Sequence, residues 1–315
     1  MKEKPGTLSV WMAQIRAPFL ILAVFLTLIG LAFAYHVAPR EGEGFNIFHA
    51  FLLIIGIVSS HISVNLFNEY SDFRTKIDYH TRRSPFNGGS GMLTQNRTTP
   101  RQVLIASILT LVIAFSIGLY FTFVSHWFIL VLTIIGGITI VSYTEGLARV
   151  YLGEIFAGLA LGSLVIIGTY IAMTASPGTP VAELVPLNVI LISIPPGLLT
   201  SLLLFINEFP DVEADKMGGR RHLVIALGLR NAGYLYAFGI FLTFGTILVL
   251  PLTGLASPWL FVALLPLPLG IKSSIAAIRH GDDLSKIIPA LGTNVVTVLG
   301  TDFLLAFAVL VSPAL

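Results

Sequence analysis

Residues 46–78 read NIFHAFLLIIGIVSSHISVNLFNEYSDFRTKID: an uncharged apolar run over 50–58, then a segment in which polar residues recur at fixed intervals. His61, Asn65, Asn68 and Asp72 are spaced four, three and four apart. That is the period which gathers side chains on one face of an α-helix. The stretch has the roughly 20 residues needed to cross a bilayer core. A membrane strand would be half as long and would alternate at every second residue, which this stretch does not. It therefore predicts a spanning helix over 46–71 with a polar stripe ending in Asp72. Ionisable groups at membrane depth are costly and face a cavity or the bundle interior.

The pattern extends outward on both sides. Apolar runs at 17–37, 101–122, 127–144, 151–173, 187–209, 231–250, 258–278 and 287–312 bring the expected spans to nine, an all-α polytopic membrane protein with residues 1–315 as a single domain. Composition agrees, with 55% hydrophobic and 11% charged residues against roughly 25% charged in an average soluble domain. The net charge of +2 gives no reason to expect a nucleic-acid partner, and the lack of cysteine excludes disulfides, thiolate catalysis and cysteine zinc sites. The apolar run after residues 1–18 is too long for a signal peptide and lacks a cleavage site, so it reads as a retained first span.

Placing the N-terminus inside puts all of the 18 lysines and arginines except Arg40 at inner segments or inner span ends. Positive residues are retained on the cytoplasmic side, so the expectation is a plasma-membrane protein whose N-terminus faces the cytoplasm and whose C-terminus faces out. The longest charged inner segments, 72–100 and 210–230, follow the second and sixth spans. They suggest two related halves, without a residue-level repeat.

Both segments carry carboxylates. Asp72 is followed by Asp78, and FINEFPDVEADKMGGRRHL (205–223) contains Asn207, Asp211 and Asp215 at two successive spacings of four. Pro210 interrupts that helix and makes part of the motif a turn. Each cluster alone is open to a plainer reading, such as Asp72 paired with Arg74 or Lys76 at a solvated helix end. Two such clusters at one membrane face suit Mg²⁺, which takes one or two protein carboxylates, waters and phosphate oxygens. The candidate metal set is Asn68, Asp72, Asp78, Asp211 and Asp215. Asn65, Asn207, Lys76, Arg82, Arg83, Lys216, Arg220, Arg221 and Tyr143 are candidates to contact a pyrophosphate, arginine being suited to bidentate contacts. For the basic residues the competing role is topology alone, and for Tyr143 a membrane anchor.

Between the clusters, Pro85-Phe86-Asn87-Gly88-Gly89-Ser90-Gly91 is an anion nest, a flexible lid, or a turn with no ligand contact. It is not a Walker A loop. Glu154 is either the acidic first turn of the fifth span or a site residue, and Asp302, in the ninth span, suggests a helix–helix hydrogen bond.

With Asn68-Glu69-x2-Asp72, Asp78 and Asp211-x3-Asp215 placed after spans two and six, the chain resembles the UbiA superfamily of intramembrane prenyltransferases over nearly its whole length. The segments NEFPDVEADKMGGRRHLVIALG and LGEIFAGLALGSLVIIGTY are similar to the branch that prenylates 1,4-dihydroxy-2-naphthoate in menaquinone biosynthesis. Two departures are Glu69 for the usual Asp and His222 where Thr is common. The resemblance implies a Mg²⁺-dependent transfer from a polyprenyl pyrophosphate to a small aromatic acceptor. The competing expectations are 4-hydroxybenzoate, homogentisate or another phenol as acceptor, a UbiA-type terpene cyclase, and a secondary transporter.

Overall fold

The computed structural model describes residues 6–37 and 44–312, and all regular structure within them is helical. Lys2, Lys4 and Arg40, used above for topology, lie outside the described residues. A short α1 (Thr7–Gln14) and a 3₁₀ turn lead into α2 (Leu20–Val37). There follow α3 (Ile47–Arg74), α4 (Ile77–His80), α5 (Pro100–Val124) and α6 (Phe128–Ser142). The fifth expected span is α7 (Gly153–Gly158) joined to α8 (Leu164–Thr174) through a π turn, Leu159–Ser163. Next come α9 (Leu187–Asn207), α10 (Val212–Met217), α11 (Leu223–Leu227), α12 (Leu229–Leu252), α13 (Leu267–His280) and α14 (Leu284–Val311).

Among the described residues, seven helical stretches are long and apolar enough to cross a membrane, and an eighth is a pair, Pro258–Leu264 with Leu267–His280, bent by 41°. The expected run at 127–144 is the exception. It folds as the 15-residue α6, about 22 Å long at 1.5 Å per residue, short of a bilayer core of roughly 30 Å. Nine spans is therefore an approximate count. Side chains such as Phe51, Phe123, Phe241 and Leu252 are well exposed on the outer faces, as lipid contact requires.

In the interior, α2 packs on α8 and α14, α3 on α5, and α12 on α9 and α13. The fifth span crosses α9 at close range. A Cβ on Gly158 would lie 2.6 Å from the Gly197 carbonyl oxygen, and one on Gly162 would lie 2.6 Å from Gly197 Cα. Small residues let membrane helices approach this closely, and Ser163 Oγ donates to the Ser193 carbonyl at 2.9 Å in the same crossing. Pro195 and Pro196 sit inside α9 beside it, where they remove two backbone donors. Asp302 departs from expectation: it is fully buried in α14, and neither of its oxygens has a hydrogen-bond partner among the described residues.

Candidate active site

Two helix ends meet at one end of the bundle. The last turns of α3 carry Asn68 and Asp72, and the turn after α9 leads through Asp211, the N-cap residue of α10, to Asp215. Arg220 joins them. Its Nη2 donates to Asp72 and, at 2.9 Å, to Asn68 Oδ1, while Nη1 donates to Asp215 Oδ1 at 3.1 Å. Asp72 and Asp215 are 5% and 2% exposed, so two buried carboxylates from distant parts of the chain share one guanidinium. Their negative charge holds Arg220 above its ordinary pKa against the opposing effect of burial. A fork of five donors makes arginine suited to bridging in this way.

The glycine-rich segment closes over the carboxylates. Glu69 accepts from the Ser90 backbone N–H and, at 2.7 Å, from Ser90 Oγ. Asn87 Nδ2 donates to Asp211 Oδ1 at 2.6 Å. A Cβ on Gly89, whose φ is +66°, would sit 2.8 Å from Asp78 Oδ1 and 3.1 Å from Glu69 Oε1. Only glycine fits there, on both conformation and space. Among the expectations for this loop, the contacts are those of a cover bonded to both motifs. Arg83, a candidate for phosphate contact, instead organises the loop, donating to the carbonyls of Gly88 and Asp78 and to Thr94.

The remaining candidates divide by burial. Asn65 donates to the Ile15 carbonyl at 3.0 Å and ties the start of the chain to α3. Asn65, Asn68, Asn207 and Tyr143 all line a cavity of about 280 Å³. It continues among apolar residues of α2, α3, α5, α6, α8 and α9, such as Leu53, Ile117, Leu132 and Leu203. Lys76, Arg82, Lys216 and Arg221 are exposed. Lys216 pairs with Glu213 at 2.8 Å, and Arg221 meets Ala148 and Tyr151 through its backbone. None of these four side chains contacts the aspartates.

Sequence reasoning had given no site role to Arg16, Phe86, Asn87 or Glu208. Arg16, in a left-handed conformation at φ 52°, and Phe86 line the cavity. The Arg-Ala-Pro junction was the signal available for Arg16, and none existed for Asn87 beyond its place in the glycine loop. Glu154 does not cap its own helix. Its Oε1 accepts from Leu223 N–H at 2.7 Å. His222 lies between Asp215 and Glu208, 3.2 and 3.3 Å from their oxygens.

A hard cation fits these residues. Asp78 Oδ2 and Asn207 Oδ1 are buried without a hydrogen-bond partner, and the donors are oxygens, as Mg²⁺ prefers. Burial pushes the carboxyls of Asp78 and Asp211 up to about 7, with Glu69 adding repulsion at Asp78 and Asp215 at Asp211. A dication among them would compete with those protons by stabilising the ionised carboxylates.

A family model described as the UbiA prenyltransferase family matches residues 23–290. The 1,4-dihydroxy-2-naphthoate octaprenyltransferase of Bacillus subtilis (strain 168) is 30% identical over 254 residues, covering 80% of this chain and 78% of that protein. The apo structure of a UbiA homolog from Aeropyrum pernix K1 has the same fold, with a TM-score of 0.68 at 16% identity, covering 90% of this chain and 97% of that one. A UbiA homolog from Archaeoglobus fulgidus, bound to DMAPP and Mg²⁺, matches with a TM-score of 0.59 at 15% identity, covering 95% of this chain and 98% of that one.

Proposed function

The chain belongs to the UbiA prenyltransferase family, and on that premise we propose that it transfers a polyprenyl group from a polyprenyl pyrophosphate to 1,4-dihydroxy-2-naphthoate, with residues 1–315 acting as one catalytic domain. The observation that carries this reading is the meeting of the two aspartate clusters over the polar end of an otherwise apolar cavity. A pyrophosphate head placed among the aspartates leaves its hydrocarbon tail in the cavity.

In this reading Asp72, Asp78, Asp211 and Asp215, with Asn68, hold Mg²⁺, which when bound neutralises the charge of the pyrophosphate. Arg220 holds Asp72 and Asp215 in register and offers its guanidinium to oxygens that gain charge as the allylic C–O bond breaks. Lys76, Arg82, Lys216 and Arg221, exposed around the rim, attract the anionic donor. Asn87 and Glu69 hold the glycine loop over the head group and keep water from the allylic cation. The apolar cavity wall excludes water along the tail. The electron-rich acceptor carbon forms the new C–C bond, pyrophosphate leaves, and the acceptor loses its carboxylate as CO₂. Tyr143 and Asn207, which line the cavity, are in this reading the residues that meet the acceptor.

The one-sided distribution of lysine and arginine supports a cytoplasmic N-terminus and active site. The closest test is mass spectrometry of lipids formed by the purified protein in bilayer nanodiscs, given a prenyl pyrophosphate, Mg²⁺ and one acceptor at a time. The reading expects prenylated naphthoquinol, abolished by EDTA. Prenylated 4-hydroxybenzoate or homogentisate instead would move the acceptor, a cyclised donor would indicate a terpene cyclase, and no release of pyrophosphate would leave a transporter.

A further inference from the structure

Beside the Asp72–Arg220–Asp215 bridge lies a second group of ligating side chains that the catalytic reading does not use. Glu154 stands in the first turn of α7, Glu208 follows α9, and His222 caps α11. One ligand atom from each lies within 4.8 Å of the others. Glu154 and His222 are each 1% exposed. Glu154 commits only Oε1, to Leu223 N–H, while its Oε2 and the Oε2 of Glu208 are buried with no hydrogen-bond partner. Neighbouring carboxylates withdrawn from water need a cation or a shared proton between them. Arg220 is directed elsewhere, to Asn68, Asp72 and Asp215.

We propose that Glu154, Glu208 and His222 Nδ1 form a binding site for a borderline first-row dication, Zn²⁺ above others, separate from the Mg²⁺ site of the aspartate motifs. His222 Nδ1 is 3.3 Å from Glu208 Oε2, which matches the edge of a tetrahedron with bonds of about 2.0–2.1 Å. The other ring nitrogen, Nε2, sits 3.2 Å from Asp215 Oδ2 without making a hydrogen bond to it. A metal-bound imidazole characteristically directs its second nitrogen at a carboxylate, and Asp215 is the carboxylate within reach once an ion turns the ring. Nδ1 accepts from Ile225 N–H as the cap of α11, but at 3.4 Å that bond is long and weak, and a cation at Nδ1 would displace it. One imidazole with two carboxylates is a donor set for Zn²⁺, whereas Mg²⁺ prefers oxygen and retains its waters. Three protein ligands leave a fourth position open. The Glu208 side chain, 12% exposed, gives an ion a way in. Held there, a dication joins α7, the end of α9 and the turn before α11, and fixes Asp215 through His222.

The test is independent of catalysis. The full-length protein is purified in detergent, stripped with a chelator, exposed to Zn²⁺ in the presence of excess Mg²⁺, and desalted. Bound metal is then counted by elemental mass spectrometry and thermal unfolding is recorded. The proposal expects about one retained Zn²⁺ per chain and a raised Tm. Glu154→Gln, which keeps an acceptor for Leu223 N–H, and His222→Gln each weaken retention at least about tenfold, while Asp211→Ala retains the zinc. Absence of zinc from the wild-type protein overturns the proposal without reference to any variant, and leaves a proton shared between Glu154 and Glu208. Zinc lost from Asp211→Ala but kept by Glu154→Gln overturns it too, and assigns the ion to the aspartate motifs.

Discussion

Arg220 is the only side chain that touches both aspartate motifs in the hydrogen bonds described. Removing one partner of a buried charge cluster leaves the others uncompensated, at a cost of about 3–5 kcal/mol. Arg220→Ala is therefore expected to lower thermal stability by that order when Mg²⁺ is absent and to recover part of it when Mg²⁺ is added, a pattern that differential scanning fluorimetry can follow. Asp78 and Asp211 make a second prediction. Their folded pKa values, near 7, exceed the unfolded value of about 3.9. The fold thus favours the protonated acids. Their contribution to stability is whole below about pH 4 and is lost as pH rises through about 7. Mg²⁺ competes with the same protons, so its affinity should climb between pH 5.5 and 8, up to about tenfold per pH unit for each proton displaced. Calorimetric titration across that range checks the slope. An affinity independent of pH would remove these two acids from the metal site. The spacing of Asp72, Asp211 and Asp215 was legible in the sequence because helical period announces a shared face. The partnership of Arg220 with Asn68 and Asp72 was not, since it joins residues about 150 positions apart.

The loop over 84–91 and the end of α9 carry the next level. Gly89→Ala would place a Cβ against Asp78 and Glu69 in a conformation that favours glycine, a strain of about 1–3 kcal/mol. The loop should lift, Tm should fall, and faster hydrogen exchange over 84–91 should mark the displacement. Local turn chemistry offered nest, lid and plain turn for this segment. Only the contacts with Glu69 and Asp211, set by tertiary packing, separate them. The element boundaries divide in the same way. The runs at 46–71, 187–209 and 231–250 are close to their helices, because a charge-free apolar run has few other ways to satisfy its backbone in lipid. The run at 127–144 is also close to its helix, but α6 stops at Ser142 where the chain turns at Tyr143, which leaves it short of a full span and makes nine an approximate count. The bend within 258–280 falls beside Pro266, where the helix is interrupted.

At the scale of the whole molecule, the proposed function divides the binding of an amphiphilic donor between a polar cluster at one end and an apolar cavity among the spanning helices. The proposed orientation in the membrane rests on charge, and the absence of cysteine makes it simple to examine. A single cysteine at the exposed Lys216 is expected to react with a membrane-impermeant maleimide in inside-out vesicles and to be protected in right-side-out ones. The opposite pattern would invert the topology. The central claim is that both motifs act together on one pyrophosphate. Its most direct measurement is Mg²⁺-dependent pyrophosphate release by the purified protein supplied with donor and acceptor, compared among wild type, Asp72→Ala and Asp211→Ala. Loss of electrostatic stabilisation at a reacting centre costs about 10²–10³-fold per group. Each substitution should reduce release by at least that factor while the protein remains folded and membrane-inserted, and near-normal turnover in either variant would contradict the two-motif site.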